Sequence, residues 1–430
     1  MGCGFSPPGP DLRSEAAVTS HRGAQARASL WFRIVGTTVA VAGLFLPAMK
    51  AFALWDDKLK LFAEEKITHD DNLFRLSKDL DPVGDTYHTT SLGFNLDAPV
   101  SRQRFQVDYT WNATRFNRST DLDFDGHDAR AIWLWQLGND ASGQLGYTDT
   151  SALASFANTQ SRTPDPLRTQ QAFFNASYLV TPRWRFQSGI SGLEISNSAP
   201  AFQSLDLDVL YTEVALSYVT PANSSVGLSA RTEDGRYPKS PTDNAYRQYR
   251  AGILADWNPT GVSHVSARAD RVSRRYAQVP QQDFDGNTAR AQYDWKPTGK
   301  FSLAALAQRD IFPYQDIGSS FVLVKGVTLR PTLNVTEKID VSGTLDYSIR
   351  DYLGNPGQAS GVSPRRTDRV RSVAATVSYR PARTLTLLMS AQREARSSNV
   401  VPAPAGPGVP AVPPADYVVN VISISARIAF

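Results

Sequence analysis

The stretch RAQYDWKPTGKFSLAALAQRD, residues 290–310, decides how the whole chain is read. On its first arm Ala291, Tyr293 and Trp295 alternate with Arg290, Gln292, Asp294 and Lys296. On its second arm Phe301, Leu303, Ala305 and Ala307 alternate with Ser302, Ala304, Gln308 and Asp310. A period of two gives each arm one apolar and one mostly polar face, which is the signature of a strand. Between the arms, Pro297 removes a ladder donor and Gly299 supplies a permissive backbone, so residues 297–300 read as a short turn. Trp295 and Phe301 open the apolar face on either side of that turn. A membrane barrel carries aromatic side chains at this position, at headgroup level.

The unit recurs. Tyr178 and Pro182 precede Trp184 and Phe186, and Tyr218 and Pro221 precede Val226, Leu228 and Ala230. Trp257 and Pro259 precede Val265, Ala267 and Ala269, and Tyr379 and Pro381 precede Leu385, Leu387 and Met389. The turn prolines recur at roughly 35 to 50 residues, one hairpin plus one longer loop per repeat. A propeller blade has a similar period but needs four short strands within it, and only two long arms are legible. The expected aromatic girdle is therefore Tyr178, Trp184, Tyr218, Trp257, Trp295, Phe301 and Tyr379. On the opposite side the connections are longer and rich in Arg, Asp, Ser and Pro, as in 117–127, 151–168, 274–287, 351–368 and the Pro-rich 399–415. Short turns on one side and long loops on the other is the asymmetry of outer-membrane barrels.

The last arm carries the same pattern. Ile422, Ile424, Ala426, Ile428 and Phe430 share one face, with Ser423, Ser425 and Arg427 on the other. An ordinary edge strand of that kind is a liability that proteins avoid, and a closed barrel removes it. Ile424, Ile428 and Phe430 are thus read as a C-terminal barrel signature. The arms number about eighteen if residues 58–68 join the sheet and sixteen if they do not; either even number keeps both ends periplasmic. The expected fold is all-β, a transmembrane antiparallel outer-membrane β-barrel with an aqueous lumen.

With 430 residues and a net charge of +4, the chain shows no nucleic-acid footprint. Arg22, Arg27 and Arg33 precede the apolar run 34–49, and Ala51 and Ala53 supply a small-x-small cleavage site. Residues 1–53 therefore read as a secretory signal peptide with a long n-region, and 54–430 as a single barrel. The run falls short of the ~20 residues a helical span needs. Cys3, the one cysteine, would leave with the signal, and the mature chain would hold no disulfide or thiolate site.

If the apolar faces meet lipid, the opposite faces line the bore. They bring Arg104, Asp108, Arg231, Arg250, Arg268 and Asp270 from the first half of the wall. Arg290, Asp294, Asp310, Asp346, Arg350 and Arg396 come from the second. A mixed, hydrogen-bonding wall suits a hydrated polar solute, although any water-filled barrel needs polar walls and cross-strand Arg–Asp pairs also stabilise the sheet. Catalysis finds little support: His264 and Ser266 share a face, but no third partner is legible. Asp123-Phe-Asp-Gly126 and Asp283-Phe-Asp-Gly286 lack the remaining spacing of a calcium loop and read as turns. Neither an enzyme nor a cofactor is expected.

Asp70, Asp71, Asn72, Leu73, Phe74, Arg75 and Leu76 form one run soon after the signal. The run resembles the D-D-N-hydrophobic-F-R-L motif of EpsL-type outer-membrane barrels, which are encoded in exopolysaccharide operons associated with exosortase B and PEP-CTERM proteins. The Tyr/Trp-x-Pro turns and the terminal Phe are similar as well. The resemblance implies a passive path by which an exopolysaccharide crosses the outer membrane. It implies as partners lipid and lipopolysaccharide, the barrel-assembly machinery, the extracellular polysaccharide and periplasmic export components. It carries no catalytic residues. From the residues alone two other readings stay open: a general or solute-specific porin for uptake, and a non-conducting structural or adhesion barrel. Within the motif, Asp70, Asp71, Asn72 and Arg75 are expected to form a hydrogen-bonded corner that closes the first hairpin.

Overall fold

The computed structural model describes residues 58–159, 162–241, 244–316, 319–353, 366–400 and 414–430. The signal-peptide reading with Ala51 and Ala53 lies outside them, as does most of the Pro-rich segment. The strands are β1 (Leu59–Asp70), β2 (Asp85–Val100), β3 (Gln103–Phe116), β4 (Phe124–Leu137), β5 (Ala141–Leu153) and β6 (Pro166–Thr181). Next come β7 (Trp184–Asn197), β8 (Leu207–Val219), β9 (Ser225–Arg236), β10 (Tyr246–Thr260), β11 (Ser263–Tyr276) and β12 (Phe284–Trp295). The series ends with β13 (Phe301–Asp316), β14 (Ser319–Asn334), β15 (Ile339–Leu353), β16 (Thr367–Tyr379), β17 (Leu385–Ser398) and β18 (Tyr417–Ala429).

Each strand pairs antiparallel with its sequence neighbours, and β18 also pairs with β1. The sheet is thus a closed ring of eighteen strands. Strands about 4.8 Å apart and tilted about 40° give a ring roughly 35 Å across between backbones. That is too wide for wall side chains alone to fill. β1 belongs to the ring despite its poor alternation, for a local reason. Phe62 is turned inward beneath the Arg427 guanidinium, 3.6 Å from its ring centre, while Glu65 points outward and is bonded by Thr90.

Contacts that skip strands identify the inner face. Arg268 of β11 donates to Glu213 of β8, and Arg250 of β10 donates to Asp310 of β13 at 2.7 Å. Side chains from strands so far apart can meet only on the concave side. Register then assigns every other position. Trp257, Ile424 and Phe430 fall on the outer face and are exposed, as do Tyr178, Trp184, Tyr218 and Tyr379. Trp295 and Phe301 lie on that face too, packed edge-on with ring centres 6.2 Å apart.

The turn repeat has a simple cause. The Oγ1 of Thr181 accepts from the backbone N–H groups of Arg183 and Trp184. Thr298 does the same for Lys300 and Phe301, and Thr336 for Lys338 and Ile339. Each hydroxyl caps a tight turn that the following strand must leave at once. At the other end, Asp123 Oδ1 accepts from Phe116 N at 2.7 Å and Asp283 Oδ1 from Tyr276 N at 2.8 Å. The two Asp-Phe-Asp-Gly runs therefore share one loop design and act as turn chemistry. No helix among the described residues is long and apolar enough to cross a membrane, a statement that does not bear on strands.

Candidate functional site: the lumen and its outer mouth

The Asp70–Leu76 run sits where β1 leaves the wall, at the long-loop end. Asp70 accepts from Asn72 N at 2.9 Å and from Arg75 Nη1 at 2.8 Å. Arg75 adopts a left-handed backbone, φ 57°. Burial works against its charge, but the Asp70 carboxylate outweighs this and holds the guanidinium pKa above its usual value. The corner does more than close one hairpin. Asn420 N of β18 donates to Asp71 Oδ1 at 2.7 Å, and Asn72 Nδ2 donates to Val418 O at 2.9 Å. The motif thus fastens the first strand to the last at the seam that closes the ring.

Leu73 and Phe74 turn inward and are buried with Phe116, Leu122 and Phe156. Phe156 begins a short helix, α1 (Phe156–Thr159), in the β5–β6 connection. Its ring meets Phe74 edge-on at 5.0 Å, and Arg162 lies over Phe74 at 5.2 Å. From there the connection reaches the far side of the seam: Arg396 of β17 donates to Ala157 O, and Ala157 packs on Tyr417, Val419 and Val421 of β18. This segment therefore runs across the inner rim and not outward from β5.

A second element leans in. The β12–β13 ladder is the shortest in the ring and ends at Ala289–Arg309, whereas β13 and β14 continue paired to Asp316–Ser319. Freed from β12, this hairpin brings Phe321 against Tyr276 and Phe284. Phe321 also covers Arg274, which is stacked on Tyr246 at 3.9 Å from the ring centre. Beneath it Arg274 donates to Glu233 at 3.1 Å and to Gln248 at 2.9 Å, and Tyr246 Oη donates to Glu233 at 2.8 Å. A Cβ on Gly235 would collide with the Tyr246 ring, so glycine there lets the tyrosine lie down.

The residues read from sequence as lumen-lining fall on the inner face but divide into two groups. Arg231, Arg268 and Asp270 converge with Glu213 into one ion network, and Arg250 is held by Asp310. Arg396 is buried against Ala415 O and Tyr417. These are struts of the wall. Arg104, paired with Asp97, and Asp108, near Arg130 at 3.4 Å, stay open to water. On β12, Arg290 lies 3.5 Å from Gln308, and Asp294 accepts from Gln292 at 2.9 Å. Asp346 accepts from Thr328 at 2.6 Å, and Arg350 stands opposite Val324 and Asp368. His264, on one face with Ser266, bonds Asp256 at 2.9 Å instead.

One part of the open wall went unremarked in the sequence. On β3–β8 a recess of ≈ 500 Å³ is lined by Gln136, Gln144, Asn175 and Gln187, with Ser142 and Ser177, between Arg104 and Glu213. Its amides and hydroxyls offer both donors and acceptors without net charge. Alternation on those arms was enough to find them; the prominence of Arg and Asp hid them.

Residues 271–405 match the family model described as "Putative beta-barrel porin 2". Among solved structures the chain is similar to the outer membrane protein OpdK of Pseudomonas aeruginosa, at 10% identity over 87% of this chain and 100% of that one, TM-score 0.46. It is similar also to OpdF (OccK2) of that organism, solved with glucuronate, at 11% identity, 87% and 98% coverage and TM-score 0.46. The alcaligin receptor FauA of Bordetella pertussis follows at 11%, 86% and 76%, TM-score 0.40. No curated protein matches the chain. The fold itself rests on strand order and register. Residues 271–405 are thus similar to a β-barrel porin family, and the chain as a whole is a closed eighteen-stranded antiparallel β-barrel.

Proposed function

We propose that the barrel is a passive channel for small, hydrated solutes rich in hydroxyl groups, of the sugar class. The amide- and hydroxyl-lined recess on β3–β8 carries this reading, because its groups can replace the hydration shell of a neutral polyol. The infolded β5–β6 connection and the β13–β14 hairpin favour small solutes over a polymer, since both occupy inner space at the long-loop end. Export of an exopolysaccharide is the second reading, favoured by the Asp70–Leu76 run and by the same hydrogen-bonding wall. Two measurements separate them. In planar bilayers and sugar-loaded vesicles, the purified barrel is expected to conduct ions and pass mono- and disaccharides. In a deletion strain, secreted polymer is expected to stay at its normal level. Polymer lost from the medium and retained in the periplasm would favour export, and a barrel that neither conducts nor passes sugars would defeat both channel readings.

A further inference from the structure

The outer face is not uniform around the ring. On β11–β17 it ends in cations: Arg271, Arg309, Lys325, Arg369, Arg371 and Arg393. Arg309 stands eight residues above Phe301, and Arg371 eight above Tyr379, which is about 26 Å along the strand and about 20 Å in height once tilted. That height is the upper edge of an apolar band about 25 Å tall. Acids sharing this face are already held, Asp285 by Arg275 and Asp351 by Lys325. Among the described residues Arg309, Arg369 and Arg371 have no carboxylate partner. The other side of the barrel differs at the same height. There Arg168 pairs with Asp149 and Arg247 with Asp234, and Glu194 and Asp208 add further negative charge. Below Arg309 and Lys325 lies an outward groove of ≈ 730 Å³. It is floored by alanines of β10–β13, Ala255, Ala267, Ala291 and Ala307 among them, and bordered by Val327 and Tyr347.

We propose that this half of the exterior holds a phosphorylated glycolipid of the outer leaflet, lipopolysaccharide. Its phosphates sit on Arg309, Lys325 and Arg371, and one acyl chain lies along the alanine groove. Cations above an apolar trough, Arg309 and Arg371 without a carboxylate partner and Lys325 shared with Asp351, match a ligand with anionic head and hydrocarbon tail, and the height of the cations selects the leaflet on the long-loop side. The test uses the full mature barrel in detergent with three probes: purified lipopolysaccharide, the same lipid dephosphorylated, and phosphatidylglycerol. The R309Q/K325Q/R371Q variant is expected to bind lipopolysaccharide about a hundredfold more weakly than wild type. Dephosphorylation is expected to weaken wild-type binding similarly, and R371Q alone to lose about fivefold. The control R168Q/R236Q, at the same height on β6 and β9 and away from the groove, is expected to bind as wild type does. Channel conductance is expected to be unchanged in every variant, which keeps this test separate from the channel reading. Equal losses in the control, equal binding of the dephosphorylated lipid, or phosphatidylglycerol binding as tightly as lipopolysaccharide would overturn the assignment.

Discussion

Two stretches of inner wall carry the same kinds of residue and behave differently. On β9 and β11, Arg274 and Glu233 keep 1% and 6% of their side-chain surface. On β2 and β3, Arg104 and Asp97 keep 51% and 44%. The first pair lies under Phe321 of the infolded hairpin; the second faces open water. Sealing decides what a charge can do. A buried ion deprived of its partner cannot be rescued by solvent, whereas an exposed pair adds little stability and can exchange its partner for a passing solute. The ion network of β8–β11 is therefore scaffold, and under the proposed channel reading the open wall of β2–β7 is the surface a solute would meet.

The sharpest way to break this contrast is to remove one acid from each wall. Glu233→Ala strands Arg274 and is expected to cost about 3–5 kcal/mol in urea unfolding from lipid vesicles. Asp97→Ala is expected to cost no more than about 0.5 kcal/mol. Equal costs would erase the distinction. The seam tests whether an outer corner can be as structural as the sealed wall. Alanine at both Asp71 and Arg75 removes the tie to Asn420 and the Asp70 contact, and is expected to cost about 2–3 kcal/mol. Heat resistance of the folded barrel on gels reads this out, and unchanged resistance and assembly would reduce the motif to a solvated loop.

On the open wall, charge should act on ions and not on stability. Arg104→Glu is expected to shift the reversal potential toward cations, changing the permeability ratio roughly threefold. Arg231→Gln, inside the sealed network, should leave selectivity nearly untouched while lowering stability. The smallest effect concerns Asp165, in the β5–β6 connection. Burial raises its carboxyl pKa, opposed in part by the N–H of Ala199. A raised folded value means that its contribution is greatest below the unfolded pKa of about 3.9 and is lost as pH rises through the folded value. Asp165→Asn is thus expected to flatten stability in that acid window, and an unaltered pH profile would contradict the assignment.

Much of the barrel was legible because period-two alternation is a local property. Tyr293, Trp295 and Phe301 announce an outward face without reference to any distant residue, and turns such as Thr181-Pro182, Thr220-Pro221 and Pro297-Thr298 mark where those hairpins reverse. β1 was harder to read because Phe62 and Glu65 occupy faces opposite to their polarity, Phe62 under Arg427 at the far end of the chain and Glu65 bonded by Thr90 of the next strand. The candidate site was half visible. Alternation places Glu213, Gln144 and Asn175 inside, but nothing local says that Phe321 will lie over Arg274, since that follows from β13 parting from β12 above Arg309. Likewise Asp70 and Arg75 suggest a corner, while the tie from Asp71 to Asn420 spans nearly the whole chain. Curvature and closure set such contacts, and a strand pattern carries neither.

Single-channel conductance of the purified barrel, before and after deletion of residues 312–320, tests most directly whether the infolded hairpin narrows a wet lumen. The expected result is a conducting wild type whose conductance rises at least twofold on deletion, as the wider mouth admits more ions. A wild type without conductance, or a deletion that folds and leaves conductance unchanged, would contradict the account.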